Sequence, residues 1–387
     1  MVNEISPVLA SQLALGVYQV NSNNERQLKA FLANRAFSQR EKSQSLLKAA
    51  VGGRILRATK DGFGVCARGA GQYQDDLFLI FRGTTTANNN ADVITDARIG
   101  ITRSQTGLPV HIGFNHTFDS MLPDIRNILM EAKITGVVHC IGHSLGGAVA
   151  SLAADWIASN TPGRTRLYTF GAPRVGTDWF VKTTTKNILA CNMFRVYHRT
   201  DPVSMVALYP FMQAPYQQKG YFIGSTEPLA SGASHSMAKY VKSVEGKTWV
   251  QLSDIPDQPY SVEAAIESWL QSTSPVTSAS SGFWRWIDSA LIYVLKKIAI
   301  TSLLTMQCAF IGAFTLADKI AYILAKGIDL ADNISIWVEH LMRKMMQALG
   351  VIAVKSKKQL TRHLIADVLR RITKAANEYA RNALRNV

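Results

Sequence analysis

The stretch Gly142-His143-Ser144-Leu145-Gly146-Gly147 decides how this chain folds. An apolar run, residues 137–141, leads into it, and a run of small and apolar residues with helical periodicity, residues 148–154, follows it. The pattern predicts a strand, a sharp turn with a serine at its apex, and a helix. Glycines two positions before and after Ser144 let the two backbones pass closely, so the hydroxyl is presented as a nucleophile. The Leu145 backbone N–H, at the start of the helix, is then placed to stabilise an oxyanion.

The composition is that of a globular chain of 387 residues, of which 47% are apolar or aromatic. This length accommodates one large domain and a second region. The four cysteines are far apart in the sequence, which argues against a disulfide framework or a zinc pattern, and we expect neither a metal nor a cofactor. The first residues hold no basic segment followed by an apolar run. We therefore expect no cleavable signal peptide, synthesis in the cytoplasm and, for an exported protein, a route that is independent of such a signal.

Positive charge is concentrated at the end of the chain. The net charge is +15, and residues 342–387 alone contribute +9, because they hold eleven Lys or Arg against Asp367 and Glu378. Such a segment favours anionic partners, and an anionic membrane surface is the partner we expect. Nucleic acid is not expected, because Tyr379 is the single aromatic residue of this segment and offers no stacking series.

The chain divides by composition into three parts. Residues 1–270 alternate strand-like and helix-like segments, which predicts an α/β domain. A Ser/Thr-rich linker follows at 271–282, and residues 283–387 contain no proline and have helical periodicity. Within them, residues 298–317 carry no charge over a length that can span a bilayer. This region is predicted to associate with a membrane, as a spanning helix or an inserted hairpin, or to cap the first domain.

A serine nucleophile needs a base and a carboxylate that orients the base. Where a serine occupies such a turn, the acid and then the histidine follow it along the chain. His235, in a loop of small residues, is the predicted base. Asp201 directly follows a strand-like run and is the predicted acid, with Asp178 as the nearest rival. Thr84, after the strand-like run 77–81, could add a second oxyanion donor, although an ordinary turn after a strand would look similar.

Together these motifs resemble the class 3, or fungal-type, lipase family of the α/β-hydrolases, over about residues 5–245. The resemblance rests on Phe81-Arg82-Gly83-Thr84, Val110-His111-Ile112-Gly113-Phe114, the serine motif, Thr169-Phe170-Gly171-Ala172-Pro173-Arg174-Val175-Gly176, Arg195-Val196-Tyr197-His198-Arg199-Thr200-Asp201-Pro202-Val203 and His235.

The resemblance implies an α/β-hydrolase fold followed by a mostly helical region, and a Ser144–Asp201–His235 triad. It implies an oxyanion hole formed by Thr84 and Leu145, with Asp96 supporting the oxyanion loop. The chain departs from the family at Val93, where tryptophan is usual, and over the polar residues 85–90, where an apolar lid would begin.

These features predict a serine carboxylic-ester hydrolase that acts on lipids, a phospholipase A-type enzyme or a lipase. Two alternatives stay open. The helical region could disrupt or remodel membranes with the hydrolase domain secondary, or the hydrolase-like domain could bind without turnover. In outline the chain also resembles bacterial secreted phospholipase effectors, which implies an inhibitor or chaperone protein as a further partner.

Overall fold

A computed structural model describes residues 4–21, 25–39, 44–51, 59–83, 100–132, 134–161, 164–218, 220–224, 231–254, 262–301, 316–330, 332–352 and 357–385. The chain forms two compact units. The first consists of Met1–Val206, Pro210–Ile255 and Ala380–Val387, and the second of Ala207–Tyr209 and Pro256–Tyr379.

A seven-stranded sheet forms the centre of the first unit. Its strands are β1 (Gln44–Val51), β2 (Thr59–Arg68), β3 (Leu77–Phe81), β6 (Val137–His143), β7 (Arg164–Phe170), β8 (Met193–His198) and β9 (Tyr221–Ile223). They lie side by side in the order β1-β2-β3-β6-β7-β8-β9. The first three strands pair antiparallel, and β3, β6, β7, β8 and β9 run parallel. A separate two-stranded ribbon pairs β4 (Ile101–Arg103) with β5 (Pro109–His111).

The helices of the first unit have simple sequence causes. α1 begins where the Ser6 hydroxyl accepts the Leu9 N–H at 3.1 Å, with Pro7 in the first turn. α5 (Leu145–Asn160) is buried on every side from Leu145 to Ile157, as expected for a helix at the centre of a domain. The first-unit helices are α1 (Pro7–Gly16), α2 (Glu25–Leu32), α3 (Ile112–Asp119), α4 (Leu122–Ala132), α5 (Leu145–Asn160), α6 (Asp178–Ile188), α7 (Met237–Val244) and α8 (Trp249–Ser253).

The parallel part of the sheet positions the candidate site. Every residue of β3 and β6 is buried, so neither strand alternates apolar and polar residues, although β6 includes two buried histidines, His139 and His143. The carboxyl ends of β6, β7 and β8 lead to Ser144, Gly171 and Asp201, respectively. Parallel α/β sheets place functional groups at this edge. The predicted α/β class is confirmed.

The second unit is helical. It contains α9 (Glu263–Gln271), α10 (Ser281–Thr301), α11 (Leu316–Leu330), α12 (Asp332–Ala348) and most of α13 (Arg362–Arg385). The units divide near residue 256, before the Ser/Thr-rich segment at which the sequence placed the boundary, because α9 packs against α10 and α12. No helix in the described part of the chain combines the length and apolar character needed to cross a bilayer. Most of the predicted span 298–317 lies outside the described residues.

Candidate active site

Ser144 lies at a strained turn between β6 and α5. Its backbone has φ 57° and ψ −130°, a conformation that side-chain-bearing residues rarely adopt. The turn is held by a hydrogen bond from the Ser144 N–H to the Phe170 carbonyl at 3.0 Å. A Cβ at Gly142 would overlap the Gly146 backbone, and one at Gly146 would overlap the end of β3. The two glycines are therefore required for strand and helix to pass each other.

Asp201 and His235 form a buried acid–base pair. The Nδ1 atom of His235 lies 3.0 Å and 2.9 Å from the two carboxylate oxygens of Asp201. The exposed fractions are 0% for Asp201 and 2% for His235, so solvent does not screen the pair. Asp201 follows the carboxyl end of β8, and His235 ends a short helical turn, Gly232–His235. Carboxylates fix the orientation and tautomer of a catalytic imidazole in this way.

Two further donors keep Asp201 ionised. The Tyr240 hydroxyl donates to Oδ2 at 2.6 Å, and the Val203 N–H donates to Oδ1 at 2.9 Å. Burial by itself raises the pKa of Asp201, but the charge of His235 and these hydrogen bonds outweigh burial and lower that pKa below its usual range. The carboxylate is thus negative throughout the neutral pH range.

The two atoms that would exchange a proton are left unbonded. Among the residues described, neither the Ser144 hydroxyl oxygen nor Nε2 of His235 has a hydrogen-bond partner, although both atoms are buried. The His235 ring lies against the ring of His143, the residue before Ser144, with 4.5 Å between ring centroids. Buried polar atoms without partners are uncommon, and they cluster where a substrate or transition state supplies the partner.

His198 holds the loop that carries the base. Its ring nitrogens bond the Ser234 carbonyl at 2.6 Å and the Ser243 hydroxyl at 2.9 Å, and its backbone N–H donates to the Tyr240 hydroxyl at 3.0 Å. The ring also stacks on Tyr240 with 4.0 Å between centroids. One residue at the end of β8 therefore fixes the position of His235 and that of the tyrosine bonded to Asp201.

Leu145 is the one member of the expected oxyanion hole that lies within the described residues. Leu145 begins α5 immediately after Ser144, so its N–H belongs to the first turn, where backbone donors have no helical acceptor. Thr84 and Asp96 lie outside the described residues, as does the segment 85–99. Arg82, just before Thr84, is fully buried and donates to the Gly62 and Gly83 carbonyls at 2.6 and 3.0 Å. These bonds fix the end of β3.

The structure brings the predicted acid and base, Asp201 and His235, together, and it places around them groups that the sequence did not predict. Tyr240 bonds Asp201, His143 bonds the His235 carbonyl, and Tyr18 bonds His143. The sequence signal for His143 is its place next to Ser144, and Tyr240 follows His235 closely, whereas Tyr18 lies far from both and has no such signal. The rival acid Asp178 lies at the start of α6, where it pairs with Lys182 at 2.6 Å. In the described ranges, no three His, Cys, Asp or Glu side chains are grouped to hold a metal ion.

Known proteins match part of this chain. Residues 78–211 match the family model described as lipase (class 3). The family resemblance predicted from the sequence is confirmed. The matched segment includes Ser144, Leu145 and Asp201, and His235 lies beyond its end.

Curated relatives match shorter stretches. Secreted mono- and diacylglycerol lipase 1 of Fusarium solani is 38% identical over 101 residues, which are 25% of this chain and 29% of that protein. Toxin TseL of Vibrio cholerae is 44% identical over 77 residues, 20% of this chain and 12% of the toxin. The chain thus spans less than half the length of either relative. A solved lipase from Rhizopus microsporus var. chinensis is 20% identical, with a TM-score of 0.40 over 58% of this chain and 77% of that one.

Removing the Tyr240 hydroxyl tests its link to the acid. Tyr240→Phe is expected to lower kcat about tenfold, because Asp201 loses a charge-assisted hydrogen bond that holds it against the base. Steady-state kinetics on a soluble ester measure this effect. Tyr73→Phe is the control, since Tyr73 is also buried but packs on Phe78 and His139. Equal kcat values for the two variants would contradict this role of the hydroxyl.

Buried histidines predict a loss of stability in acid. Burial lowers the pKa of His111 to about 4 and that of His143 to about 3, from 6.5. Below pH 6.5 the unfolded chain therefore binds protons that the folded protein does not. The free energy of unfolding should fall by about 1.4 kcal/mol per pH unit for each ring, down to about pH 4. Thermal melts from pH 7.5 to 4 measure the slope, and His111→Gln should make it shallower. An unchanged slope would count against the assignment.

Proposed function

We propose that this chain is a serine hydrolase that cleaves the carboxylic esters of lipids. The observation that carries the proposal is the buried Asp201–His235 pair, whose imidazole lies against His143, the residue before Ser144. Within the described residues, neither Nε2 of His235 nor the Ser144 hydroxyl has a hydrogen-bond partner. The match of residues 78–211 to the lipase (class 3) model supports the reaction class, and the names of the curated relatives of this chain support a lipid ester as substrate.

The reaction follows from these groups. The Ser144 oxygen attacks the ester carbonyl carbon while its proton moves to Nε2 of His235, and Asp201 balances the imidazolium. The Leu145 N–H donates to the oxyanion of the tetrahedral intermediate. Collapse of this intermediate transfers the proton from Nε2 to the leaving alcohol. A water molecule then attacks the acyl-enzyme with His235 again as base, which releases the fatty acid and regenerates Ser144.

Covalent labelling tests the reaction class. A fluorophosphonate probe should modify Ser144 of the folded protein, and mass spectrometry of the labelled peptide should locate the adduct there. Asp201→Asn should slow labelling strongly, because the base is no longer oriented. A folded protein that does not react would instead favour a binding scaffold without turnover.

Phospholipids are the substrate class that the positive charge favours. Fatty acid release should be faster from vesicles containing phosphatidylglycerol than from pure phosphatidylcholine vesicles or emulsified diacylglycerol. A strong preference for diacylglycerol would overturn this choice of substrate while leaving the hydrolase mechanism intact.

We also propose that α13 docks the protein on an anionic membrane. Its apolar side is already buried, since Ile365, Val368, Leu369 and Ile372 are each at most 4% exposed. Its exposed side carries Arg370, Arg371 and Lys374. Acids are few: Arg370 pairs with Asp318 at 3.1 Å and Lys374 lies 3.8 Å from Glu378. Docking through this helix is therefore electrostatic rather than insertive, at about 1 kcal/mol for each cation near the surface.

Charge reversal tests the docking helix. Arg371→Glu/Lys374→Glu should weaken binding to phosphatidylglycerol vesicles at least about tenfold and leave hydrolysis of a soluble ester unchanged. Lys29→Glu/Lys247→Glu makes the same change in net charge at exposed positions of the first unit and serves as the control. Equal losses in both variants would mean that only net charge matters. Vesicle leakage that survives Ser144→Ala but not the α13 reversal would favour a membrane-disrupting protein.

The match to Toxin TseL supports a second proposal, a bacterial effector role. In this role the protein leaves its cell by a signal-independent route and requires a dedicated inhibitor or chaperone. Expression of a periplasm-directed form should arrest bacterial growth, and Ser144→Ala should abolish the arrest. Normal growth with the active form would contradict the effector role.

A further inference from the structure

The histidine that precedes the nucleophile bonds through both ring nitrogens. Nδ1 of His143 lies 2.7 Å from the Tyr18 hydroxyl, and Nε2 lies 2.7 Å from the His235 carbonyl oxygen. A carbonyl only accepts, so Nε2 carries the proton and Nδ1 is the acceptor. The hydrogen bonds therefore run in one direction, from Tyr18 to His143 and from His143 to the backbone of the catalytic base.

Tyr18 also contacts the other side of the nucleophile. Burial raises the pKa of Tyr18, and the nearby Gly83 backbone opposes that rise. A Cβ at Gly83 would overlap both the Tyr18 hydroxyl and the Ser144 side chain, so the three groups meet at one point. Gly83 precedes Thr84, the expected second oxyanion donor. One phenol oxygen thus lies between the end of β3 and the serine turn.

The environment keeps this connection neutral. Tyr18 lies in the short helical turn Val17–Asn21 that follows α1, and α1 packs against α7, the helix after His235. Burial, with a smaller contribution from the charge of a protonated His235, lowers the pKa of His143 to about 3. His143 therefore does not compete with His235 for the serine proton, and its bonds persist while the base is charged.

We propose that Tyr18 and His143 are positioning residues. They hold the backbone of His235 and the end of β3 on opposite sides of Ser144. The inference rests on the proposed ester hydrolysis. Its consequence is that the two residues act on the rate of the chemical step rather than on substrate binding. The N-terminal segment that carries Tyr18 then helps to position the catalytic groups.

Two substitutions of His143 separate its two bonds. The amide of His143→Gln can reach the His235 carbonyl, whereas the shorter amide of His143→Asn can bond only near Tyr18. We expect kcat per fluorophosphonate-titrated site to fall about tenfold in His143→Asn, less in His143→Gln, and about fivefold in Tyr18→Phe, with KM for a soluble ester unchanged in all three. The Tyr18→Phe/His143→Asn double variant should lose little more than the worse single variant, because both residues belong to one chain of bonds.

Tyr168→Phe is the matched control. Its buried hydroxyl accepts the Ile5 N–H at 3.3 Å, so the variant also loses a bond to the N-terminal segment, away from Ser144. It should melt at a lower temperature and keep the wild-type kcat. Wild-type kcat per titrated site in Tyr18→Phe and His143→Asn, or losses that simply multiply, would overturn the positioning role. A wild-type protein that does not react with the probe would instead refute the proposed hydrolysis.

Discussion

Replacing Ser144 with alanine is expected to lower kcat for ester hydrolysis by about 10⁵-fold or more. Alanine has no oxygen to attack the carbonyl carbon, and the groups that remain supply only a small part of the rate enhancement. The fold should persist, because the Ser144 hydroxyl has no hydrogen-bond partner among the described residues that could be lost. Initial rates on a soluble ester and a thermal melt of the same sample measure both expectations.

Ser151→Ala is the control for this variant. Ser151 is on the same helix, α5, is 7% exposed, and its hydroxyl donates to the Gly147 carbonyl at 2.8 Å. Its replacement removes a buried serine oxygen without removing the nucleophile, so kcat should stay within about threefold of wild type. Hydrolysis by Ser144→Ala at a rate close to that of Ser151→Ala would mean that another residue is the nucleophile.

Asp201→Asn has the next largest expected effect, a loss of about 10³- to 10⁴-fold in kcat. The asparagine keeps the shape of the side chain but removes the charge that stabilises the imidazolium. It can also present an N–H to Nδ1 of His235, which would place the proton on Nε2 and block its role as base. A complete rate–pH profile measures the loss and shows whether a raised pH restores any rate.

Asp178→Asn decides between the two acids that the sequence left open. Asp178 is partly exposed at the start of α6 and pairs with Lys182 one helical turn later, so its loss removes only a surface ion pair. The kcat of this variant should stay within about twofold of wild type. A large loss in Asp178→Asn together with a small one in Asp201→Asn would reverse the assignment of the acid.

The elements around the nucleophile could be predicted because their signals are local. The apolar run 137–141 lies within β6 (Val137–His143). The strand-like run 77–81 has the same bounds as β3. Strands buried on both faces are continuous apolar runs, and glycines near the serine mark the turn, so neither inference needed long-range information.

Other parts of the fold had weak or non-local signals. β2 (Thr59–Arg68) contains Gly62 and Gly64, a residue type that strands disfavour, and the sequence did not predict it. The structure shows the reason at Gly64, where a Cβ would overlap the Ile80 carbonyl of the neighbouring strand. Tyr18 is 125 residues from His143, and Tyr240 is 39 from Asp201. No periodicity within one element can indicate such pairs, because they depend on how the sheet brings the elements together.

The left-handed backbone at Ser144 has a consequence for the evolution of this chain. Glycine accepts a φ of 57° without the steric penalty that serine carries, so Ser144→Gly should unfold at a higher temperature than Ser144→Ala while being equally inert. Selection for thermal stability alone would therefore favour glycine at position 144 and remove the hydroxyl. A serine at position 144 is therefore what selection for the proposed catalysis, rather than for stability, would retain.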